Sequence, residues 1–346
     1  MHMADALLSP TVGATFWAGT LAAIGYSSKK LKETIDDKMI PLMGVLGAFI
    51  FAAQMINFTI PGTGSSGHIG GGMILTIILG PYAAFLAIAS VITVQGLFFA
   101  DGGLLALGCN IWNMGIYPCF IVYPLLYKPL VGDSKSPARI LAVSILGVAI
   151  SLQMGAFSVV METMLSGKSE LPFGTFVLLM QPIHLAIGVV EGFITAGVIN
   201  YVRSARPEIL ESIAASRPLN SAVSIKNIIV GFVVLAVITG GALSWFASTH
   251  PDGLEWSIKK TTGKTELAEQ EQGIAPIIKG IQEKTAFLPY YNFKPAGNEP
   301  KQEEANPFWP SVETGTSVAG IIGAGMVLGF ILLIGAGIRA VRHKHS

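Results

Sequence analysis

The chain has 346 residues, 51% of them hydrophobic and only 12% charged, with a formal net charge of +1. That composition argues against an ordinary water-soluble enzyme. The near-neutral balance also excludes a nucleic-acid partner, because a phosphate backbone is met by clustered Lys and Arg. The only cysteines, Cys109 and Cys119, fall in an apolar stretch and read as reduced thiols, not a disulfide framework.

A hydrocarbon core of roughly 30 Å needs about 20 apolar residues as a helix. Such runs lie near residues 11–27, 40–57, 82–100, 105–126, 139–164, 174–202, 227–248 and 317–341. Gly70 to Gly80 is apolar but short, and Gly80-Pro81 separates it from the next run. The short-loop cations at Lys29 to Lys38, Lys128, Lys135, Arg139, Arg203 to Lys226 and Arg339 to Lys344 fit one side, and Lys168 falls opposite. The positive-inside rule makes that side cytoplasmic. Asn57 is then outside and Tyr127 inside, so parity requires the short helix to cross as well.

The expectation is an all-α polytopic membrane protein with its N-terminus outside and its C-terminus cytoplasmic. A seven-segment body covers 1–203, a cytoplasmic linker covers 204–226, and a two-segment tail covers 227–346 with an external polar loop at 249–316. The first run has no basic n-region, and its cations follow it at Lys29 to Lys32, so it is expected to be retained and not cleaved as a signal peptide.

Two nucleotide-like patterns fail on context. Gly62-Thr63-Gly64-Ser65-Ser66-Gly67 spells GxGxxG but joins membrane helices, not a strand and a helix. Gly263-Lys264-Thr265 has Ile258 where a phosphate loop needs its first glycine. With no HExxH or comparable zinc spacing either, the chain is not expected to be an enzyme.

The chemistry lies in the histidines. His2 follows Met1 directly, so the Met1 amine, the His2 backbone nitrogen and His2 Nδ1 can close a five- and a six-membered ring on one ion. Binding through an amide nitrogen requires its deprotonation, which late first-row divalent ions promote and Mg²⁺ or Ca²⁺ do not. His68, in an outer Gly-rich loop of the body, offers a fourth nitrogen. Asn57, Ser65 and Ser66 flank His68 and are expected to hold its ring through the free nitrogen. Met-His alone is a frequent accident of sequence; a chelator on the outer face of a membrane protein, however, has an evident use in uptake. Asp101, Glu162, His184 and Glu191 read better as a structural network, since a hard carboxylate suits a square plane of nitrogens poorly.

The opening Met1-His2-Met3-Ala4-Asp5-Ala6-Leu7-Leu8-Ser9-Pro10, Ala53-Gln54-Met55-Ile56-Asn57-Phe58 and Gly64-Ser65-Ser66-Gly67-His68 resemble the CbiM/NikM substrate-binding components of energy-coupling-factor cobalt and nickel transporters. Asp101-Gly102-Gly103-Leu104, Asn110-Ile111-Trp112-Asn113-Met114-Gly115 and His184 to Gly192 continue the resemblance in order, over about residues 1–203. The tail, with Pro251-Asp252-Gly253-Leu254-Glu255, is similar to the small CbiN/NikN component, which makes this a fused chain. The resemblance implies capture of Ni²⁺ or Co²⁺ through Met1, His2 and His68, with no cofactor beyond the transported ion. It also implies delivery inward when coupled to a T component (CbiQ/NikQ-like) and two ATPase subunits (CbiO/NikO-like) in a prokaryotic cell membrane. Gly44, Ala48 and Ala52, four apart on one helical face, serve either internal packing or docking on the T component. The competing reading is a membrane metal sensor or scaffold whose loop binds a partner without transport.

Overall fold

Apolar runs without internal charge become helices, and the chain folds as a bundle. The computed structural model describes residues 2–34, 36, 38–132, 136–168, 170–219, 224–268, 273–294, 310 and 312–343. Met1, Lys135, Lys344 and the stretch 295–309 of the polar loop lie outside them. The body contains α1 (Pro10–Thr34), α2 (Met39–Gln54), α3 (Gly72–Leu79) and α4 (Pro81–Phe99). It continues with α5 (Leu107–Ile111), a π-helical run over Trp112–Tyr127 and α6 (Lys128–Val131), which form one rod, and then with α7 (Pro137–Leu165) and α8 (Phe173–Ala205). The amphipathic α9 (Pro207–Ala214) follows, and the tail adds α10 (Lys226–Gly241), α11 (Gly253–Thr262), α12 (Ala275–Thr285) and α13 (Thr314–His343). Pro81–Phe99, Leu107–Val131, Pro137–Leu165, Phe173–Ala205 and Thr314–Val341 are long and apolar enough to cross a bilayer.

The short helix expected from parity is α3, whose eight residues are all buried. At about 1.5 Å per residue it spans only ~12 Å, so the 65–71 loop that feeds it must reach deep between the helices. Gly80 ends it at φ 79°, ψ 164°, a conformation closed to other residues, and Pro81 at the first position of α4 supplies a preset φ. One end of α3 meets Ile50 and Glu191, and the other faces Ile213 of α9. Thus α3 joins the deep loop to the opposite pole.

Helices α7 and α8 pack closely because Gly188 and Gly192, four apart, lie against the backbones of Ala149 and Ile145; a methyl on Gly188 would sit 2.7 Å from the Ala149 Cα. The π-helical run contains Pro118 and Pro124, which lack the N–H that a tighter helix would need, and Pro118 packs on Gly72 of α3. Among the described residues the architecture departs from all-α at a hairpin of β1 (Phe58–Ile60) and β2 (Ser65–Gly67), paired antiparallel as Phe58↔Gly67 and Ile60↔Ser65. The GxGxxG pattern is the turn and second strand of this hairpin.

The tail does not stand apart. Gly240 of α10 meets Gly320 of α13 backbone to backbone. Helix α13 then closes the small-residue face of α2, where a Cβ on Gly44 would lie 2.8 Å from Leu328 Cδ1 and one on Gly47 would strike Ile331. Ala48 and Ala52 are buried within the chain as well. The docking use considered for Gly44, Ala48 and Ala52 is therefore corrected to internal packing: this chain's own helices cover the face. The polar loop also carries structure, since Asp252 and Glu255 form a reciprocal capping box at the start of α11.

Candidate metal site

Residues 2–8 lie over the 100–106 loop and are tied to it. The Met3 N–H donates to Asn110 Oδ1 at 2.8 Å, the Met3 carbonyl accepts from Gly103 N at 2.9 Å, and Asp5 Oδ1 accepts from Ala106 N at 3.0 Å. Gly102 makes this approach possible. Its φ of +83° is left-handed, and a Cβ there would sit 2.8 Å from Asn110 Nδ2 and 3.3 Å from His2 Cβ. Helix α1 is fixed to the same segment by Trp17 Nε1–H donating to Leu104 O and the Thr20 hydroxyl donating to Gly108 O.

The structure brings His2 and His68 together: their rings stack with centroids 5.2 Å apart at 18°. The hydrogen bonds around them dictate which nitrogens carry protons. The Gly70 carbonyl can only accept, so Gln54 presents its NH₂ to it at 2.8 Å; Gln95 then donates to Gln54 Oε1 at 2.8 Å, which leaves Gln95 Oε1 facing His2 Nε2 at 3.2 Å. His2 therefore carries its proton on Nε2 and turns the Nδ1 lone pair outward, and Nδ1 is the nitrogen the chelate requires. Asp101 Oδ1 lies 3.3 Å from that Nδ1. Two acceptors at that distance call for a proton or a cation beside them.

His68 is oriented by the same logic, with Nδ1 3.0 Å from the Ile69 carbonyl and Nε2 left as the lone-pair side. Burial lowers the His2 pKa in spite of Asp101, and it lowers that of His68 to about 3, which favours the neutral imidazole at both. Met1, the remaining expected ligand, lies outside the described residues.

Asn57, Ser65 and Ser66 do not hold the His68 ring, which corrects the expectation for them. The Ser65 hydroxyl donates to Ser66 O, the Ser66 hydroxyl donates to His250 O at 2.7 Å, and Asn57 Oδ1 is buried with no hydrogen-bond partner among the described residues. Adjacency in sequence misled here, because the hairpin turns the Ser66 hydroxyl toward the tail and leaves that of Ser65 on its own strand. The residues that fix the histidines are instead Gln54, Gln95, Asp101 and the Ile69 carbonyl, and glutamines inside two apolar helices were the available signal. Glu191 accepts from Gly70 N at 2.7 Å and Gly71 N at 2.8 Å, and Glu162 accepts from Asn113 Nδ2 at 2.9 Å. His184 Nδ1 bonds the Met180 carbonyl at 2.8 Å, and a small pocket lies between His184, His68, Met114 and Asp252.

The tail covers this end of the body. Ser66 pairs with Asp252 as a parallel bridge, the Ser66 N–H donates to Pro251 O at 2.8 Å, and Trp256 Nε1–H donates to Thr63 O at 3.0 Å. Tyr290 and Tyr291 adopt left-handed backbone (φ 53° and 61°), and the Tyr291 hydroxyl donates to Asp101 Oδ2 at 2.5 Å. Gln282 of α12 donates to the carbonyls of Gly96 and Gly102, both at 2.8 Å.

A polytopic helical membrane protein with a preorganised pair of neutral histidines at one pole belongs to the class of metal-handling membrane components, as opposed to enzymes. Residues 2–209 match CbiM, the cobalt uptake substrate-specific transmembrane region, and residues 226–340 match the PDGLE domain. The chain belongs to the CbiM family. It is 26% identical over 365 residues to the fused nickel transport protein NikMN of Rhodobacter capsulatus, covering 99% of both chains. It is 27% identical over 224 residues to the cobalt transport protein CbiM of Sorangium cellulosum, covering 63% of this chain and 97% of that one. A crystal structure of a transition metal transporter superposes with a TM-score of 0.53 at 28% identity, over 60% of this chain and 95% of that one.

Proposed function

We propose that the chain is the ion-capturing component of an energy-coupling-factor importer for Ni²⁺ or Co²⁺, working with a T component and two ATPase subunits in a prokaryotic cell membrane. The N-terminus faces outward and the C-terminus the cytoplasm, as the loop cations require. The ion is held by the Met1 amine, the His2 amide nitrogen, His2 Nδ1 and His68 Nε2. The observation that carries this reading is the hydrogen-bond chain from Gly70 through Gln54 and Gln95 to His2 Nε2, which leaves Nδ1 as the donor. Binding releases the amine and amide protons to solvent, and Asp101 stands beside the donor as a fixed negative charge facing the bound cation. Because Gly70 belongs to the loop that carries His68, one chain of bonds aligns both imidazoles. Delivery inward then requires this loop, anchored on Glu191, to exchange partners.

The test uses register. Inserting Ala between Met1 and His2 keeps every side chain but destroys the ring pair that lets the amide ionise. Titration of purified protein with Ni²⁺ should show a yellow square-planar absorption in the parent and none in the insertion variant. Equal affinity in the two proteins would remove the amine from the ligand set. Accumulation of labelled metal in cells, dependent on His2 and His68, separates an importer component from a sensor or scaffold.

A further inference from the structure

At the pole away from the histidines, a cavity of about 820 Å³ opens between the end of the π-helical rod, the end of α8 and α9. We propose that it binds one anionic phospholipid. The cavity falls within the roughly 300–1,000 Å³ of pockets built for small ligands, and no part of the proposed ion site lines it. Its walls follow the chemistry of a lipid. Ile77, Ile140 and Ile199 supply apolar surface for an acyl chain, Tyr123 and Tyr127 also line the wall, and Lys128 and Arg203 stand at the ends of their helices.

Those two cations occupy the positions where long apolar helices leave the hydrocarbon. Leu107–Val131 and Phe173–Ala205 are both membrane-spanning by length and composition, and Lys128 and Arg203 lie in their last turns. That is the level of the lipid phosphates, and basic pockets between membrane helices are sites for anionic headgroups. Glu211 of α9 also lines the cavity, so two cations face one carboxylate and the balance favours a ligand with a net negative charge over a zwitterion. Helix α9 lies against this pole with Ile209 and Ile213 buried, Ile213 reaching toward Gly80, so it forms a floor that a chain without the 207–214 helix would lack. A bound lipid would brace α9 against α3.

The full chain, purified in mild detergent and mixed with equal phosphatidylglycerol and phosphatidylethanolamine, should retain one phosphatidylglycerol by native mass spectrometry, with a preference of about tenfold from the net charge. Lys128→Gln with Arg203→Gln should remove that preference. Ala214→Trp, which fills the cavity and leaves both cations in place, should remove retention itself. Ni²⁺ binding at the other pole should persist in both variants and serves as the check on folding. Equal retention of the two lipids by the unaltered protein overturns the proposal whether or not the variants fold, and so does undiminished retention in a folded Ala214→Trp protein.

Discussion

Around His2 and His68, three backbone stretches lie on one another. Residues 2–8 are bonded to 100–106, and Gln54 and Gln95 tie His2 to Gly70 in the third stretch. Around Lys128 and Arg203 the helices diverge instead, and a wide cavity with largely apolar walls opens between them. Helices α7 and α8 run to both poles, so the contrast is set by the connecting segments. A site that must present two nitrogen lone pairs to one ion needs positions held to within about half an ångström, supported by fixed neighbours. A pole that meets lipid does not. Rigidity is therefore concentrated where glycines let backbones touch, at Gly102 and Gly103.

Breaking the tight pole should cost most. His2→Ala or His68→Ala should lower Ni²⁺ or Co²⁺ affinity by more than about 100-fold, beyond what loss of a supporting residue costs, as read by titration of the folded protein. Gln95→Leu and Gln54→Leu remove no ligand but free His2 Nε2 to lose its proton, and each should cost about 10- to 100-fold. An unchanged affinity in both would show that the relay does not set the tautomer. Gly102→Ala forces a Cβ into Asn110 at a left-handed φ, a strain of order 1–3 kcal/mol, and should weaken binding several-fold while leaving helix content unaltered by circular dichroism. Smallest for the ion is Gly44→Leu. It should separate α2 from α13 and cost about 1–3 kcal/mol in thermal stability, with metal affinity kept because that contact lies outside the site. Should Gly44→Leu reduce affinity as much as Gln95→Leu, the α2–α13 contact is coupled to the histidine site.

The helical segments were legible because lipid leaves so few alternatives to an apolar helix. Even the half-length α3 followed from charge parity together with Gly80-Pro81. That His2 and His68 meet was legible too, because the charge pattern puts both on one face of the body. Side-chain direction was not. Ser65 and Ser66 sit next to His68 in sequence, yet the hairpin directs the Ser66 hydroxyl to the tail and the Ser65 hydroxyl to its own strand, and strand pairing over three residues leaves almost no periodic signal. The occupant of the Gly44 face was equally closed to sequence reasoning, because small-residue spacing says that something packs closely without saying what. Gln54 and Gln95 were overlooked as uncharged interruptions of apolar runs, although a buried amide in such a helix must find a partner.

The parallel bridge between Ser66 and Asp252 carries a consequence for the fusion itself. For residues 2–209 standing alone, the strand beside Ser66 would have to come from another molecule and arrive by diffusion. Here the partner is tethered through α10, so its effective concentration reaches the millimolar range expected of short linkers. The bridge adds to contacts that the same tether already makes, among them Trp256 Nε1–H to Thr63 O and the Ser66 hydroxyl to His250 O. Covalent linkage thus raises the occupancy of a joint that would otherwise have to hold two separate molecules together.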